Sequence, residues 1–202
     1  MADKTAIKPK SRCSTQPEGG RMWLLKSLFA LLTVLGLGAC VGAFTPNTSN
    51  PDRFSLAPSA VAHLRAPQTI KFNNAYLSAA IFQLRFPRSG VTVDQDQQQY
   101  TETAIVMLSR AMEKEGISRS SDAKKTITLR VRIVDYRLGG VVISPEYHGR
   151  VALDAEFGDG SVASISGSGM SSLGHSRAFD AAILVALNRL VADKKFVAYI
   201  NN

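Results

Sequence analysis

Residues Met22 to Cys40 read MWLLKSLFALLTVLGLGAC, and no charged residue occurs between Lys26 and Asp52. A cation, about a dozen apolar residues and a break of small residues make up the three parts of a secretory signal. The same run is close to the minimum length for an uncleaved membrane helix, although Gly36, Gly38 and Gly42 weaken a helix there. On either reading residues 1–39 are withdrawn from the folded part, which leaves enough chain for one domain and too little for two. Cys13 and Cys40 flank the apolar run and no cysteine follows Cys40. A domain that folds after export therefore relies on its core rather than on crosslinks.

The end of the run, Leu37-Gly38-Ala39-Cys40, resembles the lipobox of bacterial lipoproteins: an aliphatic residue, two small residues and an invariant cysteine. In that family the thiol receives diacylglycerol, the signal is cut just before it, and the new amino group is acylated. The residue types suit that chemistry, because small side chains let the backbone enter a peptidase and a thiol is nucleophilic enough to take the lipid. A polar lead of 21 residues before Met22 departs from the family's signals and makes Met22 the expected start. Val41, followed by Gly42, stands where many inner-membrane lipoproteins carry aspartate. The resemblance thus implies a Gram-negative outer membrane, with the domain on the periplasmic face and acyl chains as an effectively permanent anchor.

Residues 40–67 form the expected lipidated start and flexible tether, with Pro46, Pro51, Pro58 and Pro67 set among Asn, Ser and Thr. Phe44, Phe54 and Leu56 offer an alternative, docking on a partner. Residues 68–202 are the expected periplasmic domain. Thr69 to Phe72 read as a first strand, YLSAAIFQLRF fits either a strand or a short helix, and Pro87 to Gly90 is a turn. Asp94 is the expected cap, with Gln97, of an amphipathic helix whose stripe is Tyr100, Ala104, Met107, Leu108 and Ala111, stopped by Gly116. Ile127, Leu129, Val131 and Ile133 then alternate with Thr128, Arg130, Arg132 and Val134, and Gly149 to Phe157 alternates in the same way. Gly158-Asp159-Gly160-Ser161 turns the chain into a Ser/Gly-rich strand, Val162 to Ser171. There Gly167 and Gly169 share a face that lets a helix come close. A last helix over Ser176 to Val191 carries Phe179, Ala182, Ile183, Ala186, Leu187 and Leu190, and Phe196, Val197, Tyr199 and Ile200 tuck in after it. The expected fold class is α+β: a small antiparallel sheet in β-α-β-β-β-α order with two helices on one face.

That order, with the lipobox, the GDGS hairpin and RAFDAAILVALNRLVADKKFVAYI, is similar to the small periplasmic domain of YajG-type lipoproteins. Similar domains occur in auxiliary lipoproteins of lipid-exporting ABC systems and in outer-membrane activators of peptidoglycan synthases, so the resemblance leaves the job open. Two roles follow as expectations. One is an anchored module that binds an envelope protein, and the other is a lipid-binding partner of an ABC exporter.

The net charge of +8 invites a test for nucleic-acid binding. Six of the 24 basic residues and two of the 16 acids precede Cys40, and the +4 that remains is scattered rather than clustered. His63, His148 and His175 read as surface or capping residues, no serine sits in a GxSxG elbow, and neither a metal-ligand spacing nor a phosphate loop is present. Asp154 and Glu156 are better explained by pairing with Arg130 and Arg132 across the sheet than by hydrolysis. No catalysis, cofactor, metal or nucleic acid is expected.

Leu138 to Tyr147, LGGVVISPEY, joins the two best strands. Gly139, Gly140 and Pro145 are strand breakers, and Val141, Val142 and Ile143 place three adjacent apolar residues where solvent is expected. Either these residues extend the strands or fold over the sheet edge, or they form a contact surface for another protein.

Overall fold

A computed structural model describes residues 48–65, 68–86, 90–141 and 144–202. In chain order its strands are β1 (Gln68–Asn74), β2 (Ile81–Arg85), β3 (Thr92–Asp96), β4 (Ile117–Arg119), β5 (Lys125–Val141), β6 (Ser144–Phe157) and β7 (Val162–Ser171). The helices are α1 (Gln97–Lys114), α2 (His175–Val191) and α3 (Lys194–Asn201). Among the described residues five strands form one sheet in the order β4-β1-β5-β6-β7, and β2 and β3 form a separate hairpin.

The α+β class and the β5-β6-β7 meander agree with the alternation read from the sequence. Ile127, Leu129, Val131 and Ile133 pair in register with Phe157, Ala155, Leu153 and Val151, and all eight are buried. The sheet is mixed rather than wholly antiparallel, because β1 runs parallel to both β4 and β5. Parallel neighbours need a long crossover, and here the β2-β3 hairpin and α1 supply it. Past Leu129, where β1 ends, side chains take over as the neighbour of β5. Thr101 Oγ1 accepts from Val131 N at 2.9 Å, Gln97 Oε1 accepts from Ile133 N at 2.9 Å, and the Tyr76 hydroxyl donates to Val131 O.

Helix α1 buries the expected stripe and ends at Gly116, whose φ of +81° suits a residue without a Cβ. Its cap is Asp96, not Asp94: the Asp96 carboxylate accepts from Gln98 N at 2.9 Å and Ala80 N at 3.0 Å. Asp94 falls inside β3, opposite Gln83, so the extended run continues two residues beyond the expected start of the helix.

Helix α2 lies over β6 and β7 in a seat made of missing side chains. A Cβ on Gly167 would lie 2.0 Å from Ala182 O, and one on Gly169 would lie 2.3 Å from Ala178 O. With Gly149 opposite Gly169, three glycines receive Ala178, Ala182 and Ala186, which repeat every fourth residue along α2. Close approach of the backbones seals Phe179, Ile183, Leu187 and Leu190 completely. The apolar tail folds as α3, with Phe196 and Ile200 buried and Tyr199 stacked on Phe157 at 5.1 Å.

The tether assignment is corrected for residues 48–65. Pro51 and Pro58 open short 3-10 turns, and Leu56, Val61 and Leu64 are buried in the core. Ser49 Oγ lies 2.5 Å from Asp180 Oδ1, Asn50 N donates to Asp180 Oδ2 at 3.2 Å, and Arg53 donates to the same oxygen at 2.9 Å. Burial raises the Asp180 carboxyl above its ordinary range, against the pull of these donors. Leu56, proposed for a partner, is thus spent on this domain's own core, and Phe54 packs at its margin.

Candidate functional site

Strand β7 ends at Ser171 opposite Tyr147, and β1 ends at Asn74 opposite Leu129. Strands β5 and β6 continue pairing beyond both neighbours, to Val141 opposite Ser144, so Leu138–Val141 and Ser144–Tyr147 form a paired arm. The breakers are tolerated for physical reasons. Pro145 lies past the end of β7, where β6 has a free edge that can lack an N–H. Gly140 opposite it takes φ +75°.

One residue sets the direction of the side chains in this arm. Ile133 pairs with Val151 and Asp135 with Arg150, which leaves Val134 as a bulge. The bulge turns Tyr136 inward, to the helix side, where strict alternation points it outward. There its ring lies 5.4 Å from Phe86 and 6.2 Å from Phe179, while Tyr147 and Phe86 pack at 6.4 and 6.3 Å from His175. The root of the arm is therefore held by rings. The Tyr136 hydroxyl is buried without a hydrogen-bond partner among the described residues, and burial pushes its pKa up. Burial moves His175 the other way, keeping it neutral, with Gln95 Nε2 3.3 Å from His175 Nε2.

The arm itself is apolar and open. Leu138 is 46% exposed on the helix side, Val141 is 64% exposed, and Met170 on the outer face is 60% exposed. Leu173, just after β7, is 65% exposed. The outer face beside Met170 has a shallow groove of about 700 Å³ lined by Asp135, Arg137, His148, Arg150 and Met170. Such a surface can bury apolar area against a partner while its charges orient the contact.

Of the sequence-predicted site residues, Val141 is on this arm, and Val142, Ile143, Leu37, Gly38, Ala39 and Cys40 lie outside the described residues. The pairing of the sheet charges is narrower than expected. Arg132 meets Asp154 at 3.0 Å, Arg130 instead lies over the Tyr76 ring at 5.9 Å, and Glu156 stands opposite Thr128. The three histidines do not converge: His63 meets Val191 O, His148 faces Glu146, and His175 opens α2. Among the described residues no group of His, Cys, Asp or Glu is placed to hold a metal, and no helix is long and apolar enough to cross a membrane. The aromatic root went unread because a bulge inverts the inward/outward alternation. Two large exposed contributors, Met170 and Leu173, sit in a Ser/Gly-rich stretch with no apolar run to mark them.

No family model matches the chain, and no curated protein does. Among solved structures it is similar to the crystal structure of protein XCC0632 from Xanthomonas campestris, a DUF330 protein, at 15% identity and a TM-score of 0.40. The match covers 77% of this chain and 92% of that one. Likeness at that level does not transmit a function.

Proposed function

We propose that this chain is an outer-membrane-anchored lipoprotein whose periplasmic domain binds an envelope protein through the β5-β6 arm. The anchor rests on Leu37-Gly38-Ala39-Cys40 at the end of the apolar run. The observation that carries the binding role is the ring-braced arm with Leu138 and Val141 left in solvent on its two faces and Met170 exposed beside it on β7, because exposed apolar side chains grouped in this way call for a cover. Crosslinking in intact envelopes tests it. Replacing Val141 and Ile143 with Ser should keep the melting temperature and abolish crosslinks from the arm to its partner. Unfolding of that variant, or unchanged crosslinks, would refute the reading.

A second reading, lipid binding alongside an ABC exporter, is favoured by one feature. A groove of about 510 Å³ between residues 51–56 and α1 has Phe54, Leu56, Met107 and Ala111 in its lining, with Lys114, Glu113 and an Arg110–Asp52 ion pair of 2.6 Å beside them. Apolar walls beside the Lys114 ammonium suit the acyl chain and phosphate of a phospholipid. Mass spectrometry of the purified, unlipidated protein decides: reproducibly bound phospholipid supports this reading, and its absence sinks it.

A further inference from the structure

We propose that the open edge of β7 accepts an extended acidic segment of a partner protein as an additional strand. The edge borders the arm's outer surface at Ser168 and Met170, but its main-chain pairing does not depend on the arm.

Strand β7 pairs with β6 on one side only. Lys195 Nζ donates to Val162 O at 2.8 Å and Arg189 donates to Ser166 O at 2.7 Å, both from the helix layer, so these carbonyls point away from β6. In an antiparallel strand every second residue turns its N–H and C=O to the same side. Ser164, Ser168 and Met170 therefore present theirs to the same open edge, and among the described residues no hydrogen bond takes them up. Apart from the Arg189 and Lys195 side chains, the strand's own sequence carries no block to an incoming chain. VASISGSGMS contains no proline and no charge, whereas exposed edges are commonly protected by both.

Charge specifies the occupant. From β7 to the chain end the cations are Arg177, Arg189, Lys194 and Lys195, and the acids are Asp180 and Asp193. Asp180 is buried against Arg53, and Asp193 is engaged in capping α3, so neither balances the edge. Among the described residues Arg189 and Lys195 make no ion pair, only their bonds to the two carbonyls. They act as removable covers. An incoming carboxylate draws each cation off, and the partner's N–H replaces it on Ser166 O or Val162 O. Main-chain bonds then supply the pairing and the two cations select acidic over basic strands.

The full-length protein in detergent can be titrated with three labelled synthetic peptides of one extended Val/Thr pattern. One carries Glu at alternate positions, one carries Lys there, and the third is the Glu peptide N-methylated on the amides that would face β7. The Glu peptide should bind and slow amide exchange at Ser164, Ser168 and Met170, with the other two at least tenfold weaker. Ser168→Pro, which removes an outward N–H, should weaken the Glu peptide at least tenfold, with circular dichroism checking that the sheet is intact. Arg189→Glu with Lys195→Glu should reverse the preference between Glu and Lys. Equal binding of the N-methylated peptide refutes strand addition whether or not Ser168→Pro folds. No binding of any peptide shows that the cations only guard the edge, and overturns the proposal. Phosphatidylglycerol vesicles bound through Arg189 and Lys195 without peptide binding would assign the cations to a membrane surface and overturn it equally. Loss or retention of arm crosslinks in the Val141/Ile143 variant bears on the other site alone.

Discussion

Gly167→Ala tests the seat of α2 directly. The added methyl would lie 2.0 Å from Ala182 O and 2.8 Å from Ala186 N, both backbone atoms of the helix. Side-chain Cβ atoms essentially never come closer than 3.0 Å, so the helix must retreat by about 1 Å. No rotamer change relieves the clash, since neither atom belongs to a side chain. A retreat of that size forfeits roughly a quarter to a half of each dispersion contact across the seam. That seam seals Phe179, Ala182, Ile183, Ala186, Leu187 and Leu190. Overpacking commonly costs about 1 to 3 kcal/mol, and a clash with rigid backbone belongs at the upper end, about 3 kcal/mol. At roughly 2 to 4 °C per kcal/mol for a domain of this size, the melting temperature should fall by about 6 to 12 °C. Ser168→Ala, on the opposite face of the same strand, is the control and should stay within about 0.5 kcal/mol of the parent. Thermal and urea unfolding of both variants read the difference. A Gly167→Ala protein that melts within about 2 °C of the parent would mean that α2 does not sit this close.

Cys40→Ser should leave an unlipidated precursor, because a hydroxyl does not replace the thiol in acyl transfer; normal lipid labelling and the mature parental mass would refute the anchor. Arg132→Glu should destabilise by about 1 kcal/mol at low salt, since it sets an acid beside Asp154 on a wet face, and a melting temperature unmoved by the change would dismiss that ion pair. Burial holds His175 below its ordinary range, so below a pH of about 6.5 the unfolded chain binds more protons than the folded one and stability declines as pH falls through the folded value. His175→Gln should flatten that part of the melting profile between pH 7.5 and 5, and an unchanged slope would assign the effect elsewhere.

What was legible in the sequence is what repeats. Phe179, Ala182, Ile183, Ala186, Leu187 and Leu190 recur with the helical period and are all buried, and the paired glycines of β7 do receive a helix. The elements that escaped carry no period. Strand β2 buries only Leu84, so YLSAAIFQLRF held too little pattern to choose between strand and helix. Leu56, Val61 and Leu64 are spaced irregularly among prolines, and reach the core through 3-10 turns rather than through a regular face. That β1 runs parallel to β5 is a property of the crossover, which β1's own residues do not encode. At the candidate site the exposure of Val141 was readable, but the length of the arm was not: glycines and a proline predict a break, and only the ends of β1 and β7 show where such residues are tolerated.

The cluster around Asp180 also decides how the domain takes load. Tension arriving along the chain from its N-terminal side reaches Ser49 and Asn50 before it reaches Gln68 and β1. Asp180 belongs to α2, and Thr103, 2.8 Å from the same Ser49 hydroxyl, belongs to α1, so the force divides between two helices at their seam. Behind that junction Arg53 grips Asp180 a second time, and Leu56, Val61 and Leu64 must each be drawn out of the core before the pull reaches β1 along the chain. Strand β1, flanked by β4 and β5 and paired to both through parallel ladders, thus lies behind this clasp along the chain.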